Sequence, residues 1–348
     1  MREGWTVLPL TEVMTLQRGH DLPAKDRRNG PYPVVAATST VGYHDQYKVE
    51  GPGVVIGRSG SIGGAQWVPG NFWPLNTTLW LKDRKGNDLR FCYYLLKSLD
   101  FSHLNVGSGV PTLNRNHLVG ESILLPSLGE QRTISEVLST FDELIETNAQ
   151  IIDQTWMLGQ AHFERTTEVA ELTPLKHIMR LKYGKSLPER ARIAGPVPVA
   201  SSAGITGWHN EALVTGPGVV VGRKGTVGKV TWVQSDFYPI DTCFYVESDY
   251  PQIWSYFLTR NAGLESKNSD SAVPGLNRET ALECLVPNVG LEIAQQEGKV
   301  LEELVGIASQ LENENRELIQ ARDVLVPLLL SGKIAVKSAA KLLEDVTK

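Results

Sequence analysis

Short apolar runs bounded by glycines mark the first third of the chain and recur in its second half. Val54–Ile56 and Val219–Val221 are β-branched throughout, with a glycine close to each end. Such runs predict buried strands. Further strands are predicted at Thr78–Leu81 and Phe244–Val246, and short helices near residues 90–99 and 251–260.

A different periodicity follows each of these regions, with apolar residues at alternating spacings of three and four. This spacing is typical of a coiled-coil seam. It predicts two long helices, at 128–168 and 290–333, that pair as an antiparallel coiled coil. The first predicted seam comprises Ile134, Val137, Phe141, Leu144, Asn148, Ile151, Thr155 and Leu158, and the second comprises Leu301, Leu304, Ala308, Leu311, Asn315, Leu318, Arg322 and Leu325.

Both seams carry an asparagine at the same position, Asn148 in the first and Asn315 in the second. A buried polar seam residue can set the register of two helices at some cost in stability. Alternatively, both asparagines are tolerated near solvent. The sequence leaves these two interpretations open.

Much of the chain consists of an internal sequence repeat at an offset of about 165 residues. Gly51–Gly63 (GPGVVIGRSGSIG) recurs as Gly216–Gly228 (GPGVVVGRKGTVG), and VPTLNR at 110–115 recurs as VPGLNR at 273–278. So long a period indicates a duplicated domain rather than a solenoid. The predicted fold class is α+β, with two pseudo-two-fold-related mixed α/β domains separated by the two helices. The predicted boundaries are domain 1 at 1–127, helix 128–168, domain 2 at 169–289, helix 290–333 and a tail at 334–348.

The overall charge argues against a nucleic-acid ligand, but its distribution does not. The chain has 34 Lys and Arg against 39 Asp and Glu, a net charge of −5, whereas phosphate contacts need basic side chains. Residues 1–127 carry +3 and 169–289 carry +1, while 128–168 carry −6 and 290–348 carry −3. The acidity therefore belongs to the helical segments, as a solvated face or as a surface for a partner.

The sequence contains no recognisable catalytic or metal-binding constellation. The three cysteines, Cys92, Cys243 and Cys284, are too widely spaced for a disulfide framework or a zinc cluster and fit a reducing cytoplasm. No apolar run approaches the ~18 residues of a membrane helix. Glycine-rich Gly51–Gly57 and Gly216–Gly222 resemble a dinucleotide motif, but a β-branched run separates their glycines. We expect a cytoplasmic, non-catalytic protein that binds no metal.

Three features together resemble one known family across nearly the whole chain. They are the order domain, helix, domain, helix; the segment LLPSLGEQ at 124–131, which leads into the first helix; and the segment LLLSGKI at 328–334, at the end of the second helix. In this order they identify a resemblance to the specificity subunit of type I restriction–modification systems.

The resemblance implies a non-catalytic reader of double-stranded DNA. In that family two target-recognition domains each read half of a bipartite site, and the paired helices act as spacer and docking surface for two DNA adenine methyltransferase subunits. Those partners bind S-adenosylmethionine, so this chain is expected to bind no cofactor, and a separate restriction (translocase) subunit cleaves unmodified DNA. The alternatives are a stand-alone two-headed DNA-binding regulator, the specificity subunit of a methylation-only phage-defence system, and a nucleotide-binding protein.

Basic, aromatic and polar side chains in the loops of both domains are the candidate DNA contacts. Contacts shared by the two copies would hold the DNA backbone or support the fold, and base readers would differ, as the loops 36–47 and 201–212 do. The asparagines before Arg115 and Arg278 fit a turn at least as well as a contact. The predicted DNA-binding residues are Lys25, Arg27, Arg28, Tyr43, His44, Arg58, Ser59 and Arg115 in the first domain, and Lys185, Arg190, Arg192, Trp208, His209, Arg223, Lys224 and Arg278 in the second.

Overall fold

The computed structural model describes residues 4–105, 109–267 and 275–335. Residues 336–348 of the predicted tail, and Val273 and Pro274 of the repeat, lie outside the described residues. The first half contains β1 (Thr6–Pro9), α1 (Leu10–Val13), β2 (Thr15–Arg18), β3 (Tyr32–Val35), β4 (Thr40–His44), β5 (Gly53–Gly57), β6 (Gly63–Val68), β7 (Trp73–Pro74), β8 (Thr78–Asp83), α2 (Leu89–Ser98), β9 (Ser122–Leu125) and α3 (Leu128–Thr167).

The second half repeats the order of the strands and of the longer helices, but among the described residues it has no α-helix corresponding to α1 and has an additional short helix, α5. It contains β10 (Glu171–Pro174), β11 (Met179–Tyr183), β12 (Val197–Ser201), β13 (Gly204–His209), β14 (Gly218–Gly222), β15 (Val230–Val233), β16 (Tyr238–Pro239), β17 (Cys243–Ser248), α4 (Gln252–Asn261), α5 (Arg278–Leu282), β18 (Leu285–Asn288) and α6 (Leu291–Leu330). The strands and short helices predicted from the sequence are confirmed within β5, β8, β14, β17, α2 and α4.

The chain divides into two compact units. The first unit is Met1–Glu146 together with Asn315–Lys348, and the second unit is Thr147–Glu314. Helices α3 and α6 each contribute one segment to each unit. The molecule therefore has the predicted mixed class, with two sheet-rich domains and two long helices.

Each unit contains three sheets with matching strand orders. In the first unit they are β2-β8-β5-β6, β4-β3-β7 and β1-β9; in the second unit they are β11-β17-β14-β15, β13-β12-β16 and β10-β18. The four-stranded sheets are antiparallel throughout. The three-stranded sheets each have one parallel pair, β3 with β7 and β12 with β16.

The central strand of each four-stranded sheet is buried on both faces. In β5, Val54 and Ile56 belong to the main core of the first unit, on the side covered by α2, whereas Val55 packs with Phe72 in a second cluster. This follows from the alternation of side chains along a strand. A strand with apolar neighbours on both sides needs no polar position, which explains the uninterrupted β-branched run.

Ser127 and Glu130 cap the start of helix α3, and Gln131 joins the helix to the segment before α2. The Ser127 hydroxyl and the Glu130 carboxylate lie 3.0 Å apart, and the Glu130 amide donates to the same hydroxyl. The buried amide of Gln131 donates to the Asn87 side chain and to the Pro126 carbonyl. These contacts give the segment LLPSLGEQ a structural role in orienting the first helix.

Within each unit, α3 and α6 run antiparallel to one another. In the first unit Asp142 pairs with Arg322, and in the second unit His162 Nε2 lies 2.9 Å from Glu297 Oε2. The buried or half-buried residues of α6 include all its predicted seam positions: Leu301, Leu304, Ala308, Leu311, Asn315, Leu318, Arg322 and Leu325.

The predicted seam of α3 was wrong at Ile151 and Leu158, which are 39% and 57% exposed. The observed inward face comprises Ile134, Leu138, Phe141, Ile145, Asn148, Ile152, Thr155 and Gly159. Val137 is buried and Leu144 is half-buried, and both pack in the core of the first unit together with the inward-facing Ile134, Leu138 and Phe141. Positions i+3 and i+4 both lie beside position i on a helix, and buried Gly159 offers no apolar side chain to mark the face.

The two seam asparagines are enclosed by the helices to different extents. Asn148 is buried, and Asn315 is half-buried and donates from Nδ2 to the Ile145 carbonyl at 3.0 Å. This burial supports the interpretation that the seam asparagines lie in the interior.

Helix α6 ends just before Gly332. Gly332 has φ +69 and its amide donates to the Leu329 carbonyl, the arrangement typical of a glycine that ends a helix.

Candidate nucleic-acid interface

Three arginines of the first unit meet at one edge of its four-stranded sheet. Arg18 ends β2 and Arg58 follows β5, and both strands run antiparallel to the intervening β8, so their carboxyl ends share an edge. The Leu113 amide donates to the Arg58 carbonyl at 2.8 Å, which brings Arg115 to the same edge. The three side chains line a cavity of about 310 Å³.

The charge of this first arginine site is not neutralised by the described residues. Arg58 Nη1 donates to the Asn76 carbonyl at 3.3 Å, and no ion pair joins Arg18, Arg58 or Arg115 to a carboxylate in the described part of the chain. Burial and, secondarily, the charge of Arg18 lower the pKa of Arg58. Because an arginine remains protonated at neutral pH, the site is an anion-binding arrangement that suits a phosphate group.

The second unit builds the same edge with one substitution. The Leu276 amide donates to the Arg223 carbonyl at 2.8 Å, as Leu113 does to Arg58. Tyr183 pairs with Phe244 in β17 as Arg18 pairs with Leu79 in β8. Tyrosine therefore occupies the position that arginine holds in the first unit.

Tyr183 lies against two guanidinium groups in this second arginine site. The ring centroid is 4.9 Å from Cζ of Arg223 and 5.4 Å from Cζ of Arg278, within the range of cation–π interactions. Arg278 also forms an ion pair with Glu279 at 2.9 Å. The second site consequently holds two stacked arginines, one of them partly neutralised.

Arg18 and Tyr183 were not predicted as site residues. The available signal was their alignment at the repeat offset of 165, at the ends of strands that precede the glycine-rich segments. The predicted contacts lie in loops or are shared by both copies, whereas this pair lies in strands and differs between the copies. Only the pairing of β2 and β11 with the neighbouring strands brings them to Arg58 and Arg223.

The asparagines beside the site arginines cap short helical turns. Asn114 Oδ1 accepts from the Asn116 amide, and Asn277 Oδ1 accepts from the amides of Glu279 and Thr280. Such bonds satisfy free amides at the start of a helical turn. The turn-forming interpretation of Asn114 and Asn277 is therefore supported.

Arg27 and Arg192 support the hairpins β3–β4 and β12–β13. Arg27 Nη1 donates to the Val41 carbonyl at 3.1 Å, and Arg192 Nη1 donates to the Thr206 carbonyl at 2.9 Å. Gly207 has φ +150, a backbone conformation that residues with a Cβ rarely adopt, so this position favours glycine. Both guanidinium groups therefore form hydrogen bonds to the backbone of their own hairpin.

His44 and His209, which the sequence predicts as DNA contacts, are 3% and 6% exposed and take part in hydrogen bonds within the fold. The Arg28 amide donates to His44 Nδ1 at 3.0 Å, and the Ile193 amide donates to His209 Nδ1 at 3.1 Å. Their recurrence in both repeats reflects this backbone bond. A sequence pattern cannot distinguish such a histidine from an exposed one, because burial is decided by the partner strand.

Aromatic side chains on the outer strands of these hairpins are exposed. Tyr43 on β4 is 56% exposed and Trp208 on β13 is 53% exposed. Arg28 is exposed and pairs with Asp45 at 3.2 Å. The remaining predicted contacts are exposed or half-buried: Lys25, Ser59, Lys185, Arg190 and Lys224.

Comparison with known proteins finds a family match over the first part of the chain. Residues 2–155 match the family described as "Type I restriction modification DNA specificity domain". Over these residues the chain is similar to the type I restriction–modification specificity family.

Two curated relatives carry the specificity-subunit description. The chain is 22% identical to the EcoprrI specificity subunit of Escherichia coli over 148 residues, which are 41% of this chain and 37% of that relative. It is 25% identical over 315 residues to a Mycoplasma genitalium protein named as a type I specificity subunit, with 79% of each chain covered. The chain thus spans little more than a third of the first relative and most of the second.

The fold is also similar to a solved structure. The crystal structure of the type I restriction–modification system S subunit from M. genitalium aligns with a TM-score of 0.67 at 20% identity, covering 94% of this chain and 96% of that chain. Over residues 4–105, 109–267 and 275–335, no helix combines the length and apolarity needed to cross a membrane. The same residues contain no cluster of three His, Cys, Asp or Glu side chains arranged to hold a metal ion.

Proposed function

We propose that this chain is a type I specificity subunit that reads a bipartite site in double-stranded DNA, one half-site with each unit, and performs no chemistry itself. The observation that carries the proposal is the repeated arginine site, built on the same strand register around Arg58 in one unit and Arg223 in the other. Guanidinium groups on a sheet edge suit backbone phosphates, which position a reader on the duplex without specifying sequence. Two such sites would position two readers.

The half-sites are proposed to differ, so that the whole target is asymmetric. The exposed aromatic residue of the hairpin is Tyr43 in one copy and Trp208 in the other. Arg28 is paired with Asp45 at the surface of the first hairpin, whereas the repeat places Ile193 and Asn210 at these positions of the second. Side chains with different hydrogen-bonding groups would read different base edges.

The outer faces of α3 and α6 are the proposed docking surface for two DNA adenine methyltransferase subunits. Exposed apolar residues on a helix favour a protein partner when they are numerous. S-adenosylmethionine would be bound by these partners, and a restriction (translocase) subunit would join the assembly. The exposed apolar residues are Leu128, Ile151, Met157 and Leu158 on α3, and Leu291, Ile293, Val300, Ile307, Ile319 and Val324 on α6.

Co-expression with a cognate adenine methyltransferase tests the function directly. Long-read sequencing of the host genome should find methylated adenines at one split, asymmetric motif, and none with the methyltransferase alone. Absence of a new motif with an active partner would contradict the proposal. Tight, sequence-specific binding by the chain without any methyltransferase would instead favour the stand-alone regulator.

A domain exchange tests the division of the target between the units. Replacing residues 1–127 with the corresponding domain of another specificity subunit should change one half of the methylated motif and leave the other half intact. A change in both halves would show that the units do not read separately. The matched control is replacement of residues 169–289, which should alter only the opposite half.

A further inference from the structure

We propose that the two units bind the DNA backbone by different means. The first unit binds a phosphate among Arg18, Arg58 and Arg115, and the second unit binds one with two arginines that are stacked on the Tyr183 ring. This inference rests on the proposed DNA-reading function. It adds the ligand of each arginine site, a phosphodiester group, and an inequality between the two halves of the reader.

The first site offers three guanidinium groups around one cavity. Their side chains line about 310 Å³, and none forms an ion pair with a carboxylate among the described residues. Three cations held together without a counter-charge repel one another, and an anion relieves that repulsion. The planar donors of arginine match the oxygens of a phosphate.

In the second site the aromatic ring of Tyr183 takes the place of one of the three arginines. Tyr183 is exposed at its outer side and packs at 5.0 Å against Phe244, which is fully buried. Arg223 and Arg278 lie over the Tyr183 ring at 4.9 and 5.4 Å. A guanidinium already stacked on a fixed ring loses less freedom when it binds a phosphate, so the ring contributes by preorganisation.

The charges around the two sites differ accordingly. The first site has Arg18, Arg58 and Arg115, followed by neutral Asn116. The second has Arg223 and Arg278, but Glu279 at the position of Asn116 pairs with Arg278 at 2.9 Å. Lys224, the residue after Arg223, is exposed and supplies a further positive charge. Phosphate binding at the first site should therefore depend more on charge, and phosphate binding at the second site should depend more on stacking.

The salt dependence of DNA binding distinguishes these two contributions. Binding of the full chain to a fluorescein-labelled duplex would be measured by anisotropy over a range of potassium chloride concentrations. Loss of one phosphate contact reduces the slope of log K against log salt by about 0.9, so Arg18→Ala should do so. Tyr183→Ala removes no charge and should weaken binding by about threefold, the equivalent of an exposed cation–π contact, with the slope unchanged.

Matched variants separate these effects from damage to the fold. Tyr183→Phe keeps the aromatic face and should bind as the unaltered chain does. Arg132→Ala removes an exposed arginine from α3 and should leave the slope unchanged. Each variant is compared by melting temperature before its binding is interpreted.

The possible results lead to different conclusions. An unchanged slope of log K against log salt in Arg18→Ala would overturn the three-arginine phosphate site. A reduced slope or an unaltered affinity in Tyr183→Ala would overturn the role of the two arginines stacked on Tyr183. Either result, with the unaltered chain still binding DNA, leaves the proposed function standing. Failure of the unaltered, folded chain to bind any duplex at low salt would count against the proposed function itself.

Discussion

The contacts of Asp142 allow a quantitative prediction about how the first unit is held together. The hydroxyl of Tyr94, a fully buried side chain of α2, donates to Asp142 Oδ2 at 2.6 Å, and Arg322 of α6 donates to Asp142 Oδ1 at 2.6 Å. Burial, and then the bond to Asp142, raises the pKa of Tyr94, so its hydroxyl stays protonated. One carboxylate of α3 thus joins α2 to α6.

The expected loss of stability in Asp142→Ala depends on which hydrogen bonds Tyr94 and Arg322 keep in the variant. The buried hydroxyl of Tyr94 would lose its acceptor, at a cost of about 1–3 kcal/mol. Arg322 would keep its 2.8 Å contact with Asp323, so loss of the partly solvated ion pair adds only about 1 kcal/mol. We expect the variant to be about 3 kcal/mol less stable, and Tyr94→Phe, which removes the donor, about 1 kcal/mol less stable.

Hydrogen exchange measured by mass spectrometry reports this loss in the relevant segment. Peptides from α2 should exchange with an opening free energy lower by about 3 kcal/mol, provided they open with the whole unit, and peptides from α4 in the second unit should not change. Melting of the first unit should fall by about 6–12 °C, at roughly 2–4 °C for each kcal/mol in a domain of this size. Asp153→Ala, an exposed acid on the same helix, is the control and should stay within about 0.5 kcal/mol.

A double-mutant cycle can refute the reasoning. If Tyr94 and Asp142 act through their shared hydrogen bond, the loss in Asp142→Ala should shrink in the Tyr94→Phe background, with a coupling of about 1–2 kcal/mol. Additive losses, or a loss below about 1 kcal/mol in Asp142→Ala, would mean that this carboxylate does not hold the helices together.

Three further predictions concern packing and ionisation. Gly159→Leu should destabilise the second unit by about 1–3 kcal/mol, because a Cβ there already lies 3.0 Å from Phe257, whereas Leu158→Ala on the exposed side should be nearly neutral; equal melting temperatures would contradict this assignment. His44→Phe should lower the melting temperature through loss of a buried acceptor, costing about 1–3 kcal/mol, with an unchanged salt slope for DNA binding. The hydrogen bond to Glu121 raises the pKa of His103 above 6.5; the contact therefore stabilises the fold at acidic pH and is lost as pH rises through the raised pKa, and an NMR titration of Glu121→Gln should find a lower value.

The architecture was largely predictable from local pattern. The β-branched runs of β5 and β14 predicted strands, because side chains buried on both faces leave no polar position. The repeat predicted two similar units, and the spacing of three and four residues predicted the long helices. Each of these properties depends on residues close together in the chain.

The phase of a helix face and the exposure of a side chain depend on residues far away in the sequence. The face of α3 passes through Gly159 rather than Leu158 because Phe257 and Leu301 lie against that position. His44 is buried because its ring packs on Trp73 and accepts an amide proton from Arg28. A periodic pattern contains no information about these partners.

The candidate DNA-binding residues show the same division between sequence and tertiary structure. By itself, the sequence determined that the chain has two related units, and its shared motifs already marked Arg58 and Arg223 as candidates. Only the tertiary structure decided that Arg18 joins one of them and Tyr183 the other, since strand pairing brings residues about 40 positions apart to one edge. Local order follows from neighbouring residues, whereas a binding site requires long-range contacts.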